Sequence, residues 1–525
     1  MTTLDDRLDD RPLADLRDFG YDQQLERKVG TFASFAVGFS FVSILTTVFQ
    51  LFGLGFGFGG PAFFWTWPAV FAGQLLVALC FAELAARYPL SGAIYQWSRR
   101  LGGAVLGWFA GWTMIIAQIV TLAAAAIALQ VVLPVVWTGF QLVGGDPSLN
   151  TVSGAANAVV LGVILLAVTT ALNAASIRMT AIASSVGVVC ELVGVALVVV
   201  LLFTHAERGP GVVLHTTNLD ASTGYFGPLL VSSLMAAYVL VGFDSAGELS
   251  EETHRPRRTA PRTILRAVVA SGMGGALLIL AALMAAPSIT DGTLATGGLP
   301  LVLTSRLGTV PGKLLLLDVA VAVFVCTLAI QTSASRMIFS MARDRVLPWS
   351  DRLGAVSRRT GTPVAPTLVA GVLAAGLLVL NIGNPALFLA LTSVCIMLMY
   401  LAYLMVTVPM LLARLRGRLA TDTVDETGRP LFSLGRWGVL VNAVAVLYGL
   451  GMAINLGWPR AEVFDPEGGH WYLQWLGPIA LGVTLLLGLL AYRVQRQDYH
   501  AAVGRTATLL LPVTSVSTVA AGEEA

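Results

Sequence analysis

The sequence predicts an all-α polytopic membrane protein with twelve transmembrane helices and with the N- and C-termini both cytoplasmic. Three observations lead there. Hydrophobic residues make up 56% of the 525 and charged residues only 12%, about half the charged share of an ordinary soluble chain and too little to cover a soluble surface of this size. The apolar residues gather into twelve runs near the ~20 residues that cross a bilayer. Lys and Arg fall on alternate connections between those runs, as their excess on the cytoplasmic side requires.

In order, the runs cover about residues 31–54, 62–85, 104–134, 152–173, 180–204, 226–244, 264–287, 313–341, 364–382, 385–411, 436–457 and 472–492. The first is weakened by Gly and small polar residues. The third and eighth are long enough to tilt. Only Gly383-Asn384 separates the ninth from the tenth. With the N-terminus inside, the inner segments hold 27 of the 32 Lys and Arg, the outer loops hold Arg208, Arg306, Lys313 and Arg460, and Arg336 lies near the inner end of the eighth run. One span more or fewer in mid-chain would destroy that asymmetry. The expected organisation is a cytoplasmic segment 1–28, helices 1–5 over 29–204, helices 6–10 over 226–411, helices 11–12 over 436–494, and a cytoplasmic tail 495–525. Residues 1–28 are polar and mixed in charge, unlike a signal peptide, and the loops are too short for a soluble domain.

The same residues exclude several functions. A net charge of +2 suggests no nucleic-acid partner. The cysteines, Cys80, Cys190, Cys326 and Cys395, all sit in apolar runs, where they read as small buried hydrophobes. No His/Cys cluster has metal-ligand spacing, and all five histidines lie in loops or the tail, against a metal site or a His proton relay. No GxxxxGK[ST] phosphate loop is present, so ATP hydrolysis is not expected, and no cofactor is implied. An intramembrane enzyme would need convergent catalytic groups at membrane depth, and Asp244 has no evident partner.

Helix-breaking and ionisable residues inside spans carry the function. The sixth run ends in Tyr238, Val241, Gly242, Phe243 and Asp244, and Ser245 then stands three residues before Glu248. That is capping-box spacing. One reading ends a helix near Val241 or Gly242 and starts a short amphipathic one at Ser245; the simpler reading ends the span at Asp244 before an interfacial helix. In the first run Gly38, Ser40, Val42, Ser43 and Ile44 cluster Gly and hydroxyl residues at mid-span, which fits either a break or close helix packing. Two breaks five spans apart, on helices running in opposite directions, are the pattern of two inverted five-helix halves with a site where the discontinuous helices meet. A broken helix leaves N–H groups at one new end and C=O groups at the other. The first suit a carboxylate and the second an ammonium or a cation, so a zwitterionic amino acid matches both.

From about Leu16 to Arg493 the chain resembles the amino acid–polyamine–organocation permeases, in their amino acid/choline transporter branch. The resemblance rests on Gly20-Tyr21 before the first run and on Glu83-Leu84, Tyr88-Pro89, Gly92 and Tyr95 after the second. It continues through Gly107 and Gly111-Trp112, then Gly242-Phe243-Asp244, Glu251-Glu252-Thr253 and Pro261, and ends with Ser335-Arg336, Arg343-Asp344, Leu347-Pro348 and Thr362-Pro363. It implies the leucine-transporter-like fold, a 5+5 inverted repeat with discontinuous helices 1 and 6. Substrate would lie between Gly38–Ile44 and Tyr238–Asp244. Two departures stand out. Val42-Ser43-Ile44 takes the place of a Gly-x-Gly turn found in many relatives. No Lys occurs between Thr180 and Thr204, where some proton-coupled relatives carry one; the ionisable residue there is Glu191.

Each candidate also has a bland reading. Asp244 contacts a substrate amine or carries a proton, or else caps the inner half-helix. Glu191, near mid-membrane, is a proton carrier or a structural hydrogen bonder. Glu83, with Arg87 one turn later, is an inner gate or an ordinary ion pair. Asp318 reads as interfacial and near enough to pair with Lys313. Thr327, Thr332 and Ser333 offer hydroxyls to a coupling cation or bond their own backbone. Tyr238 lids the site or packs. The expectation is a plasma-membrane permease that imports an amino acid or small amine by proton symport and alternating access. Its partners are that solute, a proton and the lipid bilayer. The alternatives are an exchanger, or a choline or polyamine transporter of the same fold, with Phe39, Phe41, Tyr238 and Phe243 available for cation–π contact.

Overall fold

A computed structural model describes residues 16–17, 19–216, 225–290, 292–380, 382–384, 387–419, 424, 428–464, 469 and 471–509. The expected segments 1–28 and 495–525 thus lie partly outside the described residues. The chain folds into helices because, in lipid, a helix satisfies every backbone group from within its own segment. The first membrane segment is α1 (Thr31–Val42) followed by α2 (Ile44–Gly59), the second is α3 (Thr66–Arg87). A short amphipathic α4 (Ala93–Gly102) precedes α5 (Ala104–Val136), α6 (Val152–Ala175) and α7 (Ile177–Thr204). Then come α8 (Phe226–Val239), the single turn α9 (Ser245–Glu248), α10 (Pro256–Ala285), α11 (Thr293–Leu307) and α12 (Thr309–Arg343). The chain closes with α13 (Ser350–Leu353), α14 (Val364–Val379), α15 (Leu387–Leu415), α16 (Gly438–Gly457), two single turns, α17 (Ala461–Phe464) and α18 (Trp471–Gln474), and α19 (Leu476–Leu509).

Among the described residues ten helical segments are long and apolar enough to cross a membrane, counting α1 with α2 as one. Two shorter apolar helices, α8 and α14, stand at the sixth and ninth runs of the sequence. As their run lengths indicated, α5 and α12 are among the longest, at 33 and 35 residues. They pack against each other, and α5 also packs against α15. The outer ring is legible from its surface: Ile182, Val186, Val189, Val193 and Val200 of α7 and Leu447 and Ile454 of α16 are exposed, as an apolar face turned to lipid must be. Three features differ from the sequence reading. The helix α11 was not foreseen; it is kinked at Gly298, whose φ is 54°. The helix α19 continues to Leu509, past the end assigned at 492. In the sixth run the helix stops at Val239, before Val241.

The arginine-rich end, which the charge asymmetry assigns to the inside, is closed by a polar network. Val29 joins the link after α9 as a strand would: its N–H donates to the Glu252 carbonyl (2.9 Å) and its carbonyl accepts from the His254 N–H (3.1 Å). Glu251 accepts from both terminal nitrogens of Arg343 (2.8 and 2.7 Å) and from the Ser91 N–H (3.0 Å). Glu252 accepts from Arg336 Nε (3.1 Å) and Nη2 (2.9 Å), with both side chains buried. Asp344 gathers the hydroxyls of Tyr21 (2.9 Å) and Tyr95 (2.8 Å) and the guanidinium of Arg99. Removing one partner of a buried pair strands the other charge and costs about 3–5 kcal/mol, whereas replacing both by apolar groups is often near neutral. Arg336→Met is therefore expected to lower the thermal unfolding midpoint in detergent well below that of the Arg336→Met/Glu252→Leu double variant.

Candidate functional site

The first membrane segment breaks at one residue. Ser43 has φ 38° and ψ 93°, an uncommon and strained backbone conformation for a residue with a side chain. The ladder nearly closes around it: the Ser43 N–H still donates to the Phe39 carbonyl (2.9 Å), and the Thr47 N–H donates to the Ser43 carbonyl (3.1 Å). The new N-terminus at α2 is capped twice: the Ser43 hydroxyl oxygen accepts the Thr46 N–H (3.4 Å), and a second cap comes from another helix. Glu191 of α7 accepts, through Oε1, the Leu45 N–H (3.2 Å) and the Ser43 hydroxyl (3.0 Å). A carboxylate at this end meets the positive pole of the half-helix. Its other oxygen, Oε2, is buried without a hydrogen-bond partner. The structure thus puts a carboxylate of the chain itself at the helix end that the sequence reading reserved for a substrate carboxylate.

The second break runs from Leu240 to Asp244. Gly242 takes φ +89°, and the Phe41 ring lies against it where a Cβ would stand, so no side chain fits there. The Gly242 N–H donates to the Tyr403 hydroxyl (2.9 Å), which in turn donates to Asp244 Oδ1. Asp244 Oδ2 is buried and unpartnered. The capping box expected at Ser245 and Glu248 does not form. The Ser245 hydroxyl has no hydrogen-bond partner, and the Glu248 carboxylate lies beside the Gly92 and Ala93 amides at the start of α4 instead of reaching back to Ser245. The turn is held instead by the Asp244 carbonyl, which accepts the N–H groups of Gly247 (2.7 Å) and Glu248 (3.2 Å). Backbone bonds thus do the work for which side chains were expected.

The two breaks touch. Besides Phe41 on Gly242, Ala246 Cβ lies 3.4 Å from where a Cβ on Gly38 would stand. Gly38, Ser40, Val42, Ser43, Ile44, Tyr238, Val241, Gly242, Phe243 and Asp244 are all buried. Around the two breaks Ser40 Oγ, Asp244 Oδ2 and Ser245 Oγ are buried without partners, as is Glu191 Oε2 on the α7 side of the first break. Such groups are rare in folded proteins and call for water, an ion or a solute. Phe243, Tyr403 and Phe81 pack as a trio, with pairwise ring centroids 5.0–5.9 Å apart.

The remaining candidates lie elsewhere. Thr332 donates to Asn173 of α6 (2.6 Å), and Ser333 accepts from Gln118 of α5 (3.0 Å). On α12 it is Cys326 that reaches the first break, its Sγ 3.6 Å from the Phe41 carbonyl. Glu83 sits at the inner end, bound by Arg87 (2.6 Å), Arg414 and the Leu434 N–H (3.3 Å). Asp318 makes no ion pair with Lys313 among the described residues; one of its oxygens lies against Gly194 of α7. The sequence reading missed Tyr403. Its signal was a hydroxyl-bearing aromatic deep in an apolar run, which needs a partner when buried.

A many-helix membrane bundle with two interrupted helices meeting at an unsatisfied polar seam defines a permease-like architecture. The chain belongs to the amino acid permease family, whose model it matches over residues 29–483. It is 29% identical to Amino-acid permease BAT1 of Arabidopsis thaliana over 477 residues, covering 86% of this chain and 89% of that protein. It is 28% identical to the BAT1 homolog of Oryza sativa subsp. japonica, covering 93% and 94%. It is also 25% identical to Amino-acid permease 2 of Neurospora crassa, covering 86% and 82%. It is an integral, multi-pass membrane protein of a transporter family.

Tyr403→Phe removes the donor to Asp244 and the acceptor for Gly242 together. A buried group left unsatisfied costs about 1–3 kcal/mol, so the variant is expected to unfold at a clearly lower temperature in detergent than the unmodified protein.

Proposed function

We propose that this chain imports an amino acid or related small amine across the cytoplasmic membrane by proton symport with alternating access. Twelve transmembrane helices in two inverted five-helix halves, plus two more, would carry it. The observation behind this reading is the set of unpartnered buried polar atoms at the two helix breaks, which themselves touch. The permease names of its relatives support an amino acid as cargo. Asp244 Oδ2 faces the need of an ammonium group, and the Ser40 and Ser245 hydroxyls can donate to a carboxylate.

Glu191 supplies the coupling. Ionised, it holds the N-terminus of α2 and repels a second carboxylate brought to the same end. Protonated, it keeps an acceptor for the Leu45 N–H and loses the repulsion. Proton and solute therefore favour each other's binding, which is the reciprocity that symport requires. Glu83, held by two arginines, closes the inner end, and Thr332 and Ser333 keep α12 in register with α5 and α6. Tyr238 and Val241 line the outer side of the seam.

Uptake into proteoliposomes tests the reading, with labelled γ-aminobutyrate, α-amino acids, choline and putrescine under an inward proton gradient. The expected result is uptake of an amino acid that a protonophore abolishes in the unmodified protein, and loss of proton dependence in Glu191→Gln. Uptake only into substrate-loaded vesicles, indifferent to the protonophore, overturns symport in favour of exchange. Uptake of choline alone overturns the amino acid assignment.

A further inference from the structure

Asp318 is a carboxylate inside a membrane helix with no assigned role. It lies nine residues into α12, ~13 Å along the axis from the outer end. Its Oδ2 is buried without a partner, and it occupies the space over the Gly194 Cα that a side chain there would fill. The rest of the residue is partly exposed. Gly194 is three residues beyond Glu191 on α7, so the two lie on one helix face, ~4.5 Å apart along the axis. Leu45 of α2, whose N–H bonds Glu191, reaches to within 3.3 Å of the same space. Asp318 and Glu191 thus converge from two helices on the first turn of α2, each with one buried oxygen unpartnered.

The surroundings offer no compensating cation. Among the described residues no Lys, Arg or His forms an ion pair with either carboxylate. The segments α1, α2, α5, α6 and α14 contain no charged residue or His. The arginines of α10 lie in its first eleven residues, toward the inside, and Arg306 of α11 is paired with Glu207. The titratable groups facing Glu191 are Asp318 and the Cys326 thiol, both on α12; Cys190 precedes it on its own helix. Lys313 is more than a turn from Asp318 toward the outer end. Two unpaired carboxylates in a membrane interior are costly as a pair of anions and much less so with a proton between them.

We infer that Asp318 and Glu191 form one proton-binding site, with Asp318 as the outer port through which a proton reaches the helix break. This rests on the proton-coupled reading above. The step balances simply. The Asp318 carboxyl gives its proton to Glu191 Oε2, directly or through a water, and the Asp318 carboxylate takes another from the outer side. The group nearer the outer end exchanges protons there, and the buried one holds the proton where the half-helix is capped.

Two measurements test it, one free of transport. Infrared difference spectra of the purified full-length protein between acid and alkaline pH should show a protonated-carboxyl band that is lost in Glu191→Gln and shifted in Asp318→Asn. Bands lost independently in the two variants, each leaving the other unmoved, overturn the shared site whatever the protein transports. In proteoliposomes with labelled alanine and γ-aminobutyrate as probes, Asp318→Asn should slow gradient-driven net uptake about tenfold or more. Counterflow, which needs no proton turnover, should stay within about twofold, because Asn keeps the shape of the side chain. Gly194→Ala, whose methyl displaces the Asp318 carboxylate but deletes neither acid, should act in the same direction. Unchanged net uptake in both variants, or equal loss of net uptake and counterflow, overturns the port. Net uptake by the unmodified protein that ignores the gradient sinks the coupling reading itself and leaves the infrared result standing.

Discussion

The structure depends on the cap that Glu191 places on the second half of the first membrane helix. A helix interrupted in lipid exposes backbone groups that no solvent can satisfy. Ser43 makes the interruption, and the carboxylate from α7 answers it by accepting the Leu45 N–H and the Ser43 hydroxyl. Without it the Leu45 N–H would lose its acceptor at mid-membrane, while the Thr46 N–H would keep the Ser43 hydroxyl oxygen.

The second break is held by different means. It has glycine where the chain needs a positive φ, a tyrosine hydroxyl that serves the Gly242 amide and the Asp244 carboxylate together, and the Phe41 ring filling the place of a missing Cβ. One break is secured from α7 and the other from α15. Helices from opposite halves of the sequence thus each govern one side of the seam. At the arginine-rich end the buried pairs of Glu251 and Glu252 tie the link after α9 to α12, and Val29 ties the same link to the segment before α1. That end is locked by ionic contacts, while the seam is lined by groups still in want of partners.

Much of this was legible in the sequence because its causes are local. Apolar run length and Lys/Arg placement marked the membrane segments, and the cluster around Ser43 and the Gly242-Phe243-Asp244 triplet marked both interruptions. What the sequence hid were long-range partners. The S-x-x-E spacing at Ser245 suggested a local cap, but the first turn of α9 is satisfied by the Asp244 carbonyl, so the box was not needed. Tyr403 is 159 residues from Asp244, and Glu191 is 146 from Leu45; periodicity carries no information about such pairings. Thr332 and Ser333 had the right chemistry on the right helix, yet their bonds run to Asn173 and Gln118 rather than to the breaks.

The contact of Phe41 with Gly242 constrains its two sides unequally. Position 242 admits no side chain, because its backbone conformation and the overlying ring both forbid one. Position 41 carries no such backbone constraint: a smaller apolar residue there would open a cavity over Gly242, at a cost of about 3–5 kcal/mol for full truncation of a buried Phe. On the proposed reading, in which the solute lies between the breaks, room for a bulkier one comes from residue 41 and not from the residue opposite, and the pair acts as a one-sided size dial.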